Sequence, residues 1–344
     1  MKAVYFEKHG GAEVLKYGDV PDPIPGKEEV LVDVKACSLN HLDIWTRKGM
    51  PGVSVPLPHI LGCDAAGVVN KTGPGVRGFT KGDRVIVSPG MGCGRCEHCR
   101  SGWDSLCDSY SVLGFQLNGG YAEKVAVPAR RLVKIEGTLS FEEWAAVPLV
   151  FMTAWHMLHT HAKIKKGETV LVHAAGSGVG SAAIQIAKLA GCSVITTVGS
   201  DAKIPKARAL GAGEVINYRR KDFSQEVRAL TRNRGADVVF EHIGPDTWMK
   251  DMACLAKAGR LVTCGATSGP KVEIDLRFLF TRQQTIIGSY MGGHGELAEV
   301  LKLVEKGKLK PVVGEVLPLR DAARAHETME SRNHFGKLVL RTTG

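Results

Sequence analysis

Hydrophobic positions in residues 169–288 switch between short unbroken runs and helical spacing. The run from Thr169 to Val172 is apolar and β-branched, which favours a buried strand. Beyond a glycine-dense turn, apolar residues recur at the spacing of one helix face: Ala182, Ala183, Ile184, Ile186, Ala187 and Leu189. Further patterns predict strands at residues 192–198, 236–240, 260–264 and 285–288, and helices at 203–210 and 223–232. This alternation predicts an α/β fold with a parallel, doubly wound sheet.

The turn between the first of these strands and its helix is formed by Gly176, Ser177, Gly178, Val179 and Gly180. Glycines in such a turn let the backbone approach a diphosphate closely, and the free N–H groups of the new helix favour a bound anion. The spacing departs from strict G-x-G-x-x-G, so the turn alone fits either an ordinary connection or a dinucleotide site. The repeated strand and helix units around it favour the dinucleotide site.

The first 150 residues have a different hydrophobic pattern. Short strands are predicted at residues 3–6, 29–36, 67–69, 84–87 and 121–127, separated by Gly/Pro turns. This pattern is typical of a β-rich barrel or sandwich. A helix is predicted from Phe141, with Ser140 as its N-cap. The segments 297–305, 311–314 and 337–340 mix helix and strand, and we expect them to fold back on the first domain.

We therefore predict two domains. The first comprises residues 1–148 and 291–344 and carries a cysteine-rich lobe at about residues 90–110. The second, residues 149–290, is the dinucleotide-binding domain. A chain of 344 residues is long enough for both.

Composition and charge narrow the classes of function. No signal peptide and no apolar segment of about 18 residues is present, so we expect a soluble, cytoplasmic protein with no membrane partner. The formal charge of +10 is spread along the chain. A diffuse charge argues against nucleic-acid binding and suits a phosphate-rich cofactor or an acidic substrate.

Four of the nine cysteines, Cys93, Cys96, Cys99 and Cys107, lie within 15 residues. Clustering of this kind indicates metal ligation in a reducing compartment rather than a disulfide framework. Four thiolates bind zinc tetrahedrally in a closed structural site, and an iron–sulfur cluster is the alternative. We predict one structural zinc per chain that holds the loop in shape. His98, between two of the ligands, is predicted to be an exposed bystander.

Several motifs together resemble the medium-chain dehydrogenase/reductase superfamily. They are residues 35–43, 61–68, the cysteine lobe, 174–180 and 336–340. The resemblance covers essentially the full length and implies a β-rich GroES-like domain with the substrate cleft, followed by a Rossmann domain for NAD or NADP. It also implies hydride transfer between nicotinamide and a carbonyl, an alcohol or an activated alkene.

The zinc-dependent alcohol dehydrogenases of this superfamily use a second, catalytic zinc. Cys37 matches their first ligand, and Cys63 and Asp64 stand where the family has histidine and glutamate. The third ligand position falls on Leu149, and the position of the proton-relaying hydroxyl falls on Leu39. Either Cys37, Cys63 and Asp64 form an irregular catalytic zinc site, or the two thiols pack as small hydrophobic groups.

Other segments look like the quinone oxidoreductase branch of the superfamily. These segments are residues 39–49, 196–200 and 215–218. Members of that branch generally lack catalytic zinc and reduce quinones or α,β-unsaturated carbonyls with NADPH. The chain therefore combines the structural lobe of one branch with the active-site sequence of the other.

The loop after the second strand of the Rossmann domain bears on the choice of coenzyme. Val198 occupies the place where an NAD-preferring site has an acid, while Ser200 and Lys203 offer a hydroxyl and a positive charge to a 2′-phosphate. By resemblance, Tyr218 packs beside the same group. We predict NADP(H), with NAD as the alternative if Asp201 reaches the ribose.

Candidate catalytic residues lie in the motif that faces the substrate cleft in relatives. Asn40 is suited to donate a hydrogen bond to a carbonyl, and Asp43 follows it in the same motif. The alternative is that Asn40 is a turn residue and that Asp43 is a structural carboxylate paired with Arg47. Four further residues border the nicotinamide by resemblance: Thr153, His242, Ser289 and Tyr290.

Three functions remain open on the sequence. The first is an NADPH-dependent reductase of small carbonyl, quinone or enone substrates with one structural zinc. The second is an alcohol dehydrogenase with an irregular catalytic zinc, and the third is a non-enzymatic zinc or dinucleotide-binding module. The apolar segment 284–288 is predicted to be an edge strand that pairs with a second copy, giving a homo-oligomer, either a dimer or a tetramer.

Overall fold

The structure, a computed structural model, describes residues 1–50 and 52–342. The chain divides into two compact units, one formed by Met1–Leu149 with Gly292–Gly344 and the other by Val150–Met291. The boundaries that we expected from the sequence differ from these by one residue each. Within the described residues, no helix has the length and apolar character needed to cross a membrane.

Strands dominate the N-terminal part of the first unit. They are β1 (Lys2–Phe6), β2 (Lys16–Asp19), β3 (Glu29–Ser38), β4 (His59–Ile60), β5 (Asp64–Thr72), β6 (Arg84–Val87), β7 (Gly90–Met91), β8 (Ser111–Val112), β9 (Lys124–Pro128) and β10 (Leu132–Lys134). The helices between them are α1 (His41–Lys48), α2 (Glu97–Arg100) and α3 (Phe141–Ala145). Ser140 caps α3 as predicted, since its hydroxyl accepts from the Glu143 N–H.

The second unit alternates helices and strands. Its helices are α4 (Pro148–Trp155, which starts in the first unit), α5 (Gly178–Leu189), α6 (Ile204–Ala209), α7 (Phe223–Leu230), α8 (Pro245–Cys254) and α9 (Leu276–Thr281). Its strands are β11 (Thr169–Val172), β12 (Ser193–Val198), β13 (Glu214–Asn217), β14 (Ala236–Glu241), β15 (Leu255–Thr263) and β16 (Thr285–Gly288). The predicted strands and helices of this region are confirmed, and β13 is an additional strand.

The strands of the second unit form one parallel sheet in the order β13-β12-β11-β14-β15-β16. All four residues of β11 are buried, as expected for a central strand covered on both faces. Leu171, Val239 and Leu261 from neighbouring strands pack with Trp248 and Met252 of α8 in one hydrophobic core. The doubly wound sheet inferred from the hydrophobic pattern is therefore present.

The C-terminal segment belongs to the first unit. Its elements are α10 (His294–Glu305), β17 (Val313–Pro318), α11 (Ala322–Glu330) and β18 (Lys337–Arg341). Strand β18 pairs antiparallel with β3, so the main sheet of the unit has the order β10-β6-β5-β3-β18-β17, with β9 also paired to β3. The prediction that this segment folds back on the first domain is confirmed.

Candidate functional site

The glycine-dense turn leads directly into α5, as the sequence predicts. Ser177 is the N-cap, and its hydroxyl accepts from the Gly180 N–H at 2.9 Å. A Cβ atom at Gly180 would lie 2.4 Å from the Ala174 carbonyl oxygen, so only glycine lets the helix approach the segment after β11 this closely. With Gly178 the first residue of a twelve-residue helix, the turn has the dipole and the backbone donors that favour a diphosphate.

Two of the residues predicted to border the nicotinamide have buried hydroxyls without a hydrogen-bond partner. Thr153 lies on α4 with 5% of its surface exposed, and Ser289 follows β16 directly. Neither Thr153 Oγ1 nor Ser289 Oγ has a partner within the described chain. Buried polar groups are almost always satisfied, so an unpartnered hydroxyl at each position fits a site that a polar ligand completes.

His242 and Tyr290 are placed differently from each other. His242 follows β14 and is buried, and its Nε2 bonds to the His173 carbonyl oxygen at 3.2 Å. Burial lowers the pKa of His242, so the ring is neutral and Nε2 is the donor of this bond. Tyr290 is half exposed. These residues follow the carboxyl ends of parallel strands, where ligands of doubly wound sheets bind.

The loop after β12 concentrates positive charge. Burial lowers the pKa of Lys203, and the nearby charges of Arg219 and Lys206 lower it further. A Cβ atom at Gly199 would lie 2.8 Å from the Tyr218 hydroxyl, which places the phenol against this loop. The sequence did not single out Arg219; its position directly after Tyr218 was the available signal.

Asp201, the residue that would favour NAD, already has two partners. Its Oδ1 accepts from Asn217 Nδ2 at 2.6 Å, and its Oδ2 pairs with Arg220 at 2.6 Å. Ser200 is the N-cap of the short 3-10 turn that Asp201 begins. The carboxylate therefore belongs to a local network, and it would have to leave these partners to bind a ribose hydroxyl.

Asn40 lies in a buried polar cluster with Cys63, Asp64 and Lys337. Its amide nitrogen donates to Asp64 Oδ2 at 2.8 Å and to Cys63 Sγ at 3.2 Å, and its Oδ1 accepts from Lys337 Nζ at 2.5 Å. An ammonium group only donates and a carboxylate only accepts, so these partners fix the orientation of the amide. Lys337, 297 residues away in sequence, was not identified from the sequence.

Asp43 is fully buried within the first unit. Its carboxylate accepts from the Asn40 N–H at 2.7 Å and the Gly62 N–H at 3.0 Å, and Tyr121 donates to it at 3.3 Å. Burial raises the pKa of Asp43 to about 6 despite these donors. The expected partnership with Arg47 is wrong, because the guanidinium bonds instead to Glu330 on α11.

The residues considered for a catalytic zinc are poorly prepared to bind it. Burial raises the pKa of the Cys37 and Cys63 thiols well above the ordinary value, so without a metal both are neutral thiols. Asp64 accepts from Leu149 N through Oδ1, and its Oδ2 pairs with the Lys337 ammonium at 3.2 Å. A zinc ion at Asp64 would have to displace these partners.

The cysteine lobe, by contrast, brings four ligands together. The sulfur atoms of Cys93, Cys96, Cys99 and Cys107 all lie within 4.8 Å of one another. Among residues 1–50 and 52–342, this is the only group of three or more potential ligands that meets in this way. The N–H groups of Arg95 and Cys96 lower the pKa of Cys93 to about 6, while burial raises the pKa of Cys99 to about 12. His98 is exposed, as expected of a bystander.

The first unit is rich in strands and carries the cysteine lobe, and the second has a parallel sheet with the glycine-dense turn. Together these features define the class of two-domain GroES-like and Rossmann oxidoreductases. Two family models match the chain: "Alcohol dehydrogenase GroES-like domain" over residues 26–137 and "Zinc-binding dehydrogenase" over residues 178–306. The chain belongs to the medium-chain dehydrogenase/reductase superfamily.

Relatives of the whole chain fall in two groups by name. Quinone oxidoreductase 1 of Escherichia coli is 33% identical over 98% of both chains, and an NAD-dependent alcohol dehydrogenase of Sulfolobus acidocaldarius is 33% identical over the full length of both. A crystal structure of an NAD-dependent alcohol dehydrogenase matches with a TM-score of 0.96 and 49% identity, over 99% of this chain and 100% of that one. A quinone oxidoreductase structure from Pseudomonas syringae matches with a TM-score of 0.84 and 33% identity, over 99% of each chain.

Proposed function

We propose that this chain is a reductase that uses NADPH to reduce a quinone, an enone or an aldehyde, and that it holds one structural zinc. The observation that carries the proposal is the charge beside the end of β12. The strand ends on Val198 rather than an acid, and the charges of Arg219, after β13, and Lys206, on α6, act on Lys203. Cations and hydroxyls bind a 2′-phosphate, whereas an NAD-preferring loop presents a carboxylate to the ribose. The pairing of Asp201 with Asn217 and Arg220 supports the same preference.

Several groups of this chain are suited to hold the dinucleotide. The N–H groups at the start of α5, with Gly176, Gly178 and Val179 in the turn, are proposed to bind the diphosphate. Ser200, Lys203 and Tyr218 are proposed to bind the 2′-phosphate. The unpartnered hydroxyls of Thr153 and Ser289, together with His242 and Tyr290, are proposed to border the nicotinamide. When bound, NADPH supplies the hydride.

For the substrate, we propose that Asn40 donates a hydrogen bond to the oxygen on which negative charge develops. Both amide hydrogens of Asn40 are in use, so it gives up the bond to Cys63 Sγ, the weaker of its two acceptors. Lys337 holds Oδ1 of the same amide. Asp43 supports this arrangement because it caps α1 through the Asn40 N–H.

The proposal is tested by titrating the purified protein with NADPH and with NADH, followed by fluorescence, with a zinc determination on the same sample. We expect tighter binding of NADPH and one zinc per chain. Turnover is then measured with a panel of quinones, enones and aldehydes. Failure of both coenzymes to bind, with no turnover on the panel, would favour a non-enzymatic zinc module.

A second candidate is an NAD-dependent alcohol dehydrogenase. It is favoured by the 49% identity to a solved structure of that name, which exceeds the identity to the quinone oxidoreductases. This function requires a second zinc at Cys37, Cys63 and Asp64. Two zinc ions per chain, tighter binding of NADH and alcohol oxidation that chelation abolishes would establish it.

A further inference from the structure

The segment from β11 to the start of α5, residues 173–180, is here called the cradle turn. It contains a residue in a backbone conformation that side chains disfavour. Ala174, the second residue after β11, has φ of +52° although it is not glycine. Such a conformation persists only where the surroundings enforce it. The Ser177 N–H donates to the Ala174 carbonyl at 2.8 Å, so this residue also anchors the start of α5.

The side chain that enforces the turn is Thr197, near the end of β12. The Ala174 N–H donates to Thr197 Oγ1 at 3.0 Å, and the Ala175 N–H donates to the Thr197 carbonyl at 3.0 Å. Thr197 is 2% exposed. Without its hydroxyl, the Ala174 N–H would lose its acceptor in a part-buried position, which is costly.

The Thr197 hydroxyl is itself held by a buried histidine and a carboxylate. It lies 3.2 Å from His173 Nδ1, and His173 Nε2 donates to Asp251 Oδ1 on α8 at 2.6 Å. Phe223 of α7 packs edge-on against the imidazole, with ring centroids 4.9 Å apart. The network therefore joins α8, β11 and β12 at the turn.

This arrangement of acid, histidine and hydroxyl does not serve as a nucleophile. His173 is 2% exposed and Asp251 is fully buried, so no substrate reaches the hydroxyl. The hydroxyl is also occupied by a backbone N–H, which a nucleophilic hydroxyl would not be. The hydroxyl therefore has a structural role: it fixes the turn that leads into α5.

We propose that Asp251, His173 and Thr197 are positioning residues that hold the cradle turn in the conformation that binds the dinucleotide diphosphate. This inference rests on the proposed function, since it assumes that the turn binds a dinucleotide. An apparent dissociation constant rises in proportion as the competent conformation becomes less populated. Loss of the network should therefore weaken coenzyme binding more than it lowers kcat at saturating coenzyme.

The test compares two substitutions on neighbouring residues of one strand. Thr197→Val removes the acceptor of the Ala174 N–H, and Thr196→Val removes a hydroxyl that is equally buried and donates to the Val172 carbonyl at 2.7 Å. We expect the Kd for NADPH, measured by fluorescence, to rise about tenfold in the first variant and to stay unchanged in the second. Thr197→Ser, which keeps the hydroxyl, should restore binding.

Amide hydrogen exchange of the peptide that covers residues 172–180 gives a readout independent of activity. Exchange should become faster in the Thr197→Val variant alone. Equal Kd values and equal exchange in the two valine variants would overturn the inference. A wild-type protein that binds neither coenzyme would instead overturn the proposed function, while the exchange result would still report on the turn.

A second variant covers the case in which Thr197→Val does not fold. His173→Leu combined with Asp251→Leu removes the buried pair without leaving a lone charge. We expect a severalfold rise in the Kd for NADPH and faster exchange of the same peptide. Wild-type values in this double variant would overturn the part assigned to His173 and Asp251.

Discussion

In the proposed function, Lys203 contributes most to the choice of coenzyme. Replacing it with alanine should raise the Kd for NADPH roughly tenfold and leave the Kd for NADH nearly unchanged, because only NADPH has a 2′-phosphate to lose a charge-assisted hydrogen bond. Fluorescence titration of both coenzymes measures this. Lys188→Ala, which removes an exposed charge at the far end of α5, is the matched control. An equal loss for the two coenzymes would contradict a phosphate contact.

The same prediction applies to a second cation, Arg219. Its charge contributes to lowering the pKa of Lys203, and we propose that it contacts the same phosphate. Arg219→Ala should weaken NADPH binding severalfold, again with little change for NADH. The corresponding titration would count against this role if NADH affinity fell as much as NADPH affinity.

Asp43 gives a pH dependence whose sign follows from its environment. Burial raises its pKa from the ordinary 3.8 to about 6, so between these values the folded protein holds a proton that the unfolded chain has released. The protonated Asp43 carboxyl therefore stabilises the folded protein below pH 4, and this contribution is lost as the pH rises to about 6. Relative to Asp43→Asn, which does not titrate, wild type should lose about 3 kcal/mol of unfolding free energy across this window.

Denaturant unfolding of the two proteins at several pH values measures the difference. Wild type and Asp43→Asn have the same cysteine lobe, so any effect of acid on zinc binding is the same in both proteins and cancels in the difference. Above pH 7 the difference should be constant. A difference that stays flat from pH 4 to pH 7 would mean that Asp43 keeps an ordinary pKa.

At the scale of elements, the cysteine lobe is a short loop with little hydrophobic core of its own. The helix α2 within it has no buried residue, so metal rather than packing should hold it. Cys96→Ser should reduce the zinc content from one per chain to near zero and lower Tm by roughly 5 °C. Metal analysis and thermal unfolding of the same preparation measure both effects.

Cys37→Ser is the control for this experiment, because Cys37 is a buried thiol outside the lobe. It should leave the zinc content at one. A wild-type content of two that falls to one in Cys37→Ser would instead support the alcohol dehydrogenase with a catalytic zinc.

At the scale of the whole molecule, we propose a homodimer formed through β16. In the part of the chain that the structure describes, β16 pairs with β15 alone and so ends the sheet. Helix α9 precedes it, and Leu279 and Ile286 from the two elements pack on the same core. Exposed apolar residues of α9, among them Leu276 and Phe280, add a surface that a second copy would cover.

Light scattering should therefore give twice the mass of one chain. Phe280→Glu should shift the protein to a monomer, since a buried unpaired carboxylate at an interface is costly. Ile24→Glu is the matched control: Phe280 is 67% exposed and Ile24 is 87% exposed, so neither supports a core. A monomeric wild type, or loss of the dimer in Ile24→Glu, would refute this interface.

Local sequence patterns determined the elements and the lobe. Strand β11, the turn and helix α5 follow from hydrophobic spacing and glycine chemistry within about 20 residues. The four lobe cysteines are close in sequence, so their meeting in space needed no long-range information. The Ser140 cap is likewise a local interaction, and it was predicted for that reason.

Which distant residues share a site depends on how the whole chain folds. Lys337 reaches Asn40 because β18 pairs with β3, and the fold brings Glu330 of α11 to Arg47 of α1. The Asp251, His173 and Thr197 network likewise joins three elements that are far apart in sequence. Periodicity reports the face on which a side chain lies, but the partner on that face depends on strand order and register. Those are set by packing of the whole chain, which no local pattern contains.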